Sequence, residues 1–167
     1  MQQDALDDLK LFSQARGTRL AELPGYACDS MAGRGITVYV IDTGINPNHP
    51  VSVDGLSRQI RLIHFQEFRN IPGSINWLHL PGDPPIRNDV DGHGTCVTSK
   101  VVGPTYGVAK GANIVVVKVN EVDEMVSISD YIAAWGVVAR DMNGFDLWGK
   151  AVVITTLVGE QPRSLIL

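Results

Sequence analysis

Residues 35–45 read Gly-Ile-Thr-Val-Tyr-Val-Ile-Asp-Thr-Gly-Ile, and this stretch decides the fold. From Ile36 to Ile41 every side chain is β-branched or aromatic, and only Thr37 departs from an apolar run. A strand with one wet face alternates apolar and polar residues. An unbroken run suits a strand covered on both faces, as in a parallel sheet flanked by helices. Asp42-Thr43-Gly44 ends the run and sets a carboxylate just past the strand's C-terminal end. Open α/β sheets place ligands and reacting groups at that end.

Working outward, Asn113 to Val119 is a second buried run, Ala151 to Val158 a third, and Arg58 to Phe65 a shorter one. A helix is expected from about His93 to the stop at Gly103-Pro104, and another over Ser129–Arg140. The second carries Tyr131, Ile132, Trp135 and Val138 along one face. Near the start, Ala5, Leu6, Leu9 and Phe12 have helical spacing, followed by a loop punctuated by Gly17, Pro24 and Gly25. Residues 1–25 thus read as an N-terminal helix and lead-in. Residues 69–92, rich in proline and glycine, read as a long surface loop, a kind often functional in compact domains. Strands alternating with helices argue for an α/β fold with a parallel sheet and right-handed crossovers. With no internal repeat and no linker, residues 1–167 are read as one domain.

Composition narrows the function. The 167 residues are 44% hydrophobic and 19% charged, ordinary proportions for a globular chain with a real core. A formal net charge of -4 gives no basic footprint for nucleic acid, and scattered Lys and Arg make an anionic membrane surface an unsuitable partner. No apolar run approaches the roughly 20 residues needed to span a bilayer. Met1 to Asp8 lacks the basic and apolar regions of a signal peptide. Cys28 and Cys96 permit at most one disulfide and are read as two buried thiols.

The chemistry concentrates in two places. Asp42 ends the first strand. Asp91-Gly92-His93-Gly94-Thr95 sets a histidine between two glycines at a helix start, where the backbone can approach closely and the ring stays reachable. An Asp that hydrogen-bonds one ring nitrogen of a His fixes its tautomer and stabilises the imidazolium formed during proton transfer. That is the base and orienting acid of a nucleophilic hydrolase.

The segment from Gly35 to Ile45, with Asn48-His49-Pro50 behind it, resembles the catalytic-Asp segment of subtilisin-like serine proteases. The segment from Asp91 to Val97 resembles their catalytic-His segment. Gly103 to Lys110, Val115 to Val119, and the Tyr26 to Gly35 lead-in are similar to the fungal proteinase K-like branch. The likeness runs from about Leu9 to about Gly159. It implies the three-layer subtilisin-like sandwich, here its N-terminal half, with Asp42 as orienting acid and His93 as general base. In the family the nucleophile is a serine within Gly-Thr-Ser-Met-Ala and an Asn amide helps hold the oxyanion; neither segment occurs in this chain.

The resemblance implies peptide or protein substrates, once a C-terminal half completes the site, and no cofactor or metal. Substrate would lie between two backbone edges. Glu124, Met125 and Val126 match one edge, and Thr156, Leu157, Val158 and Gly159 match the other. Val158 stands where the family has glycine, which obstructs the usual approach. Three readings follow: a serine endopeptidase by family that is inactive as this chain alone, a catalytically dead pseudoprotease that binds peptides or proteins, or a truncated product with no function. Family members are usually secreted, which leaves the compartment open.

Several look-alikes are set aside. Ser30-Met31-Ala32 resembles the core of the nucleophile motif but precedes the Asp strand and lacks the Gly-Thr lead. His49, His64 and His79 have no metal-ligand spacing. Asp83, Asp89 and Asp91 are read as a solvated polar loop, and Trp77, Trp135 and Trp148 as packing residues. An N-terminal half would expose a sheet edge and an apolar face, so self-association through that edge is also expected.

Overall fold

A computed structural model of the chain describes residues 1–46, 49, 60–64, 89–119 and 128–156. Four strands form one parallel sheet: β1 (Thr37–Asp42), β2 (Ile60–His64), β3 (Asn113–Lys118) and β4 (Ala151–Thr155). Their order across the sheet is β2-β3-β1-β4, so the decisive strand is central. Thr37 pairs with Asn113 on one side and Ala151 on the other, and Asp42 ends level with Lys118.

Every residue of β1 is buried, as its unbroken apolar run requires. The pleat sends alternate side chains to opposite faces. Val38 and Val40, with Ile114 and Val116 of β3, pack against Val101 and Val102 of helix α2 (His93–Val102). Tyr39 and Ile41, with Val115 and Val117, pack against Ala134, Val137 and Val138 of helix α3 (Ile128–Gly144). The result is a helix–sheet–helix sandwich, with both faces of the central strands dry. Tyr39 also donates its hydroxyl to Asp141 Oδ2, which satisfies a phenol and a carboxylate buried in that second layer.

The N-terminal helix α1 (Asp7–Phe12) is shorter than its spacing suggests. Ala5 and Leu9 pack with Tyr26, whereas Leu6 is exposed and Phe12 is 77% exposed. Tyr26 Oη donates to Val108 O at 2.9 Å, and Lys100 Nζ reaches Asp8 Oδ2 at 2.7 Å, so this segment docks beside the far end of α2.

Three expectations about burial are corrected. On α3 the buried stripe is Ala134, Val137, Val138 and Asp141, while Ile132 and Trp135 point outward, Trp135 44% exposed. Trp148 is 60% exposed, so neither tryptophan is a packing residue; Trp77 lies outside the described residues. Cys28 and Cys96 are both free and exposed rather than buried. Each case has the same cause: apolar character does not say which face of a helix or turn the fold turns inward. On the outer side of β4 no strand pairs among the described residues, and Val152 is half exposed. Among the described residues no helix is long and apolar enough to cross a membrane.

Candidate active site

Asp42 is fully buried at the C-terminal end of β1, and His93 opens α2 directly above it. His93 Nδ1 lies 2.8 Å from Asp42 Oδ1. The same oxygen accepts the Thr43 N–H at 2.7 Å, and Asp42 Oδ2 accepts the hydroxyl of Thr156, the first residue past β4. Donors face both Asp42 oxygens, so in the contact with the neutral ring Nδ1 donates and Oδ1 accepts. The His93 side chain remains 46% exposed, so the ring is open to solvent on its other side. The hydrogen bond that His93 donates to Asp42, followed by the Asp42 charge, raises the His93 pKa. Partial burial opposes the shift, and Asp91 and Asp89 add to it.

Close approach of the two segments depends on glycine. A Cβ on Gly94 would sit 2.1 Å from the Gly44 carbonyl oxygen and 3.1 Å from Asp42 Oδ1. No side chain fits there, so the turn after Asp42 and the first turn of the His93 helix touch backbone to backbone. Gly92, the residue that caps α2, adopts φ 88°, a left-handed conformation that favours glycine.

The first amides of α2 have no partners within the helix, and side chains accept all of them. Gly92 N–H goes to Asp89 Oδ1 at 2.9 Å, His93 N–H to Asp91 Oδ1 at 3.2 Å, and Gly94 N–H to Thr43 Oγ1 at 2.9 Å. Thr95 N–H goes to Asp89 Oδ2 at 2.6 Å. The Asp89 carboxylate also accepts the hydroxyls of Thr43, at 2.7 Å, and Thr95. Burial pushes the Asp89 pKa up, but the hydrogen bonds from Thr95, Thr43 and Gly92 outweigh it and hold the carboxyl below its usual range.

Asp89 is therefore not the solvated loop residue that its sequence neighbourhood suggests, although Asp91 is exposed as expected. Asp83 lies outside the described residues. The missed signal is positional: a carboxylate three residues before a glycine-capped helix start is placed to accept that helix's free amides. Thr43 and Thr95 were missed because single hydroxyls carry no sequence signature.

Of the expected substrate edges, only Thr156 is described, and its hydroxyl turns to Asp42. Glu124, Met125, Val126, Leu157, Val158 and Gly159 lie outside the described residues. Ser30 sits in the turns before β1, at the opposite end of that strand from Asp42. Beside the pair, an open cleft of about 280 Å³ is lined by Asn46, His49, Asp89, Gly92, Thr95, Cys96 and Ser99. Among the described residues no three metal-ligating side chains gather into a group.

A parallel sheet with a buried acid at the end of its central strand, engaged with a histidine at a helix start, defines the α/β class of proteins built around an Asp–His pair. Residues 33–152 match the subtilase family, Peptidase_S8. The chain belongs to that family. It is 37% identical over 136 residues to Subtilisin-like protease 4 of Trichophyton equinum, and 36% identical over 137 residues to Subtilisin-like protease 3 of Arthroderma otae. Both alignments take in 80% of this chain and 29% of the relative, so the chain spans under a third of the length of these relatives. Its fold is similar to that of a cold-adapted subtilisin-like serine proteinase, with a TM-score of 0.60 and 29% identity over 83% of this chain and 42% of the other. It also resembles in fold the Clostridium perfringens CspB protease, with a TM-score of 0.59 and 22% identity over 75% of this chain and 29% of the other.

Proposed function

We propose that this chain supplies the acid–base half of a serine endopeptidase site, with Asp42 as orienting acid and His93 as general base, and that it hydrolyses no peptide by itself. The observation that carries the reading is the 2.8 Å contact of His93 Nδ1 with the buried Asp42 carboxylate, which leaves Nε2 as the nitrogen for a nucleophile's proton. The raised pKa of His93 supports a ring that takes up a proton readily. The chain contains no Gly-Thr-Ser-Met-Ala segment, and without a positioned nucleophile the pair has no alcohol to activate. Peptide or protein substrates are the class that the family supplies.

The test is a serine-directed fluorophosphonate together with a casein assay. The chain alone is expected to take no label and release no peptides. The chain joined to the C-terminal half of a fungal subtilisin-like relative is expected to take label, and to lose it on His93→Ala. Labelling or turnover by the unmodified chain alone sinks the reading.

The pseudoprotease alternative predicts a stable, inactive fold that captures a specific peptide or protein partner. The outward Ile132 and Trp135 and the half-exposed Val152 on β4, which has no strand on its outer side among the described residues, support self-association. A sharp monomeric melting transition that does not depend on concentration would count against self-association.

A further inference from the structure

We propose that Asp89 is a positioning residue: its carboxylate clamps the turn after Asp42 to the first turn of the His93 helix and thereby holds the imidazole on its acid. The inference rests on the acid–base reading of Asp42 and His93. Its basis is where the four bonds go. Oδ1 accepts from Thr43, the residue after the acid, and from Gly92, the residue before the base. Oδ2 accepts both the amide and the hydroxyl of Thr95, one turn further into the helix. Thr43 Oγ1 in turn accepts the Gly94 amide, and Thr95 Oγ1 accepts the Asn46 amide from beyond the turn. Both segments that carry the pair are thus fastened to one carboxylate, on both sides of the His93–Asp42 contact.

The fastening has something to resist. His93 is nearly half exposed, and its ring has a competing partner in water. Small displacements of reacting groups, on the order of 1 Å, can cost about a hundredfold in rate. Because no Cβ fits at Gly94, the two segments meet with no slack, and a clamp is needed only to stop them parting. Asparagine is the discriminating replacement. It keeps the shape of Asp89 but offers one acceptor oxygen, and its NH2 group would face donors that now point at a carboxylate oxygen.

The tautomer of neutral His93 reads the clamp directly, because a ring held on Asp42 carries its proton on Nδ1, whereas a released ring favours Nε2. Two-bond proton–nitrogen correlations on the 15N-labelled full chain, assigned with His93→Gln, measure the ratio. The unmodified chain is expected to show the Nδ1–H form in excess. In Asp89→Asn the ratio of Nδ1–H to Nε2–H is expected to fall about tenfold, the scale of a single hydrogen bond. Asp91→Asn is the charge control, since Asp91 raises the His93 pKa more than Asp89 does; it is expected to keep the Nδ1–H form. Should Asp89→Asn fail to fold, Thr43→Val removes the Thr43 arm of the clamp, together with the bond Thr43 Oγ1 accepts from Gly94, and is expected to shift the ratio in the same direction.

Retention of the unmodified ratio in the folded Asp89 or Thr43 variant overturns the clamp and leaves the pair standing. An equal shift in Asp91→Asn overturns it in favour of charge alone. Absence of the Nδ1–H form from the unmodified chain removes the pair itself, and the clamp with it.

Discussion

Thr156 donates its hydroxyl to Asp42 Oδ2, joining the residue after β4 to the carboxylate at the end of β1. β4 therefore contributes to the site as well as to the sheet. Replacing Thr156 with Val keeps the shape and removes the donor from a buried carboxylate. Urea unfolding is expected to show a loss of about 1.5–3 kcal/mol, the range for a hydrogen bond to a charged group. An unchanged midpoint would mean that the hydroxyl adds nothing in solution.

Acidity gives the stability curve two slopes. The His93 pKa is raised in the folded chain, so between about 6.5 and the raised value the native state binds more protons than the unfolded one. Its contribution is complete below about 6.5 and is lost as the pH climbs through the folded pKa. Asp89 is lowered, so its contribution is present above about 3.8 and is lost as the pH falls through the folded pKa. His93→Gln should flatten the alkaline slope, and Asp89→Asn the acid one, in denaturant titrations across pH. A His93→Gln curve parallel to the unmodified one above neutrality contradicts the first assignment.

Both thiols should react in the native state. Cys28 and Cys96 are exposed and unpaired with each other, so Ellman's reagent is expected to titrate two thiols per chain without denaturant. A value of one or none would place a cysteine out of reach. Because Cys96 lines the cleft beside His93, a bulky adduct there is also expected to perturb the His93 ring signals.

Gly94→Ala tests the backbone contact. The added methyl would meet the Gly44 carbonyl, which belongs to the main chain and cannot rotate away. A destabilisation at or above the ~1–3 kcal/mol of overpacking is expected, along with loss of the Nδ1–H tautomer of His93. Normal stability with the tautomer intact would show that the turn yields more easily than its geometry implies.

The sheet was legible in the sequence because its cause is local. Ile36–Ile41, Asn113–Val119 and Ala151–Val158 are mostly apolar and rich in β-branched residues; β3 and β4 fall inside those runs, and β1 overruns its own only by Asp42. The Asp42–His93 pair was legible because each member sits in a long motif with its own geometry. The outward turn of Cys96 and Trp135 was not, since helical spacing marks a face without saying which neighbours arrive to cover it. On α2 the buried residues include Gly94, Thr95, Thr98 and Ser99, small or polar side chains that let the helix press onto the sheet. The role of Asp89 depends on Thr43 lying 46 positions away, a relation that exists only once the chain has folded.

The strand order has a consequence for assembly in time. β1 is made early but occupies the middle of the sheet, and its flanking strands β3 and β4 both come later in the chain. Pairings of such long sequence separation slow folding, and during synthesis the N-terminal portion emerges first. His93 can meet Asp42 while β4 is still inside the ribosome, but the hydroxyl of Thr156 arrives only after the rest of the described sheet has been translated. For that interval β1 has one edge bare, which makes the nascent chain a client for whatever in the cell shields unfinished sheets.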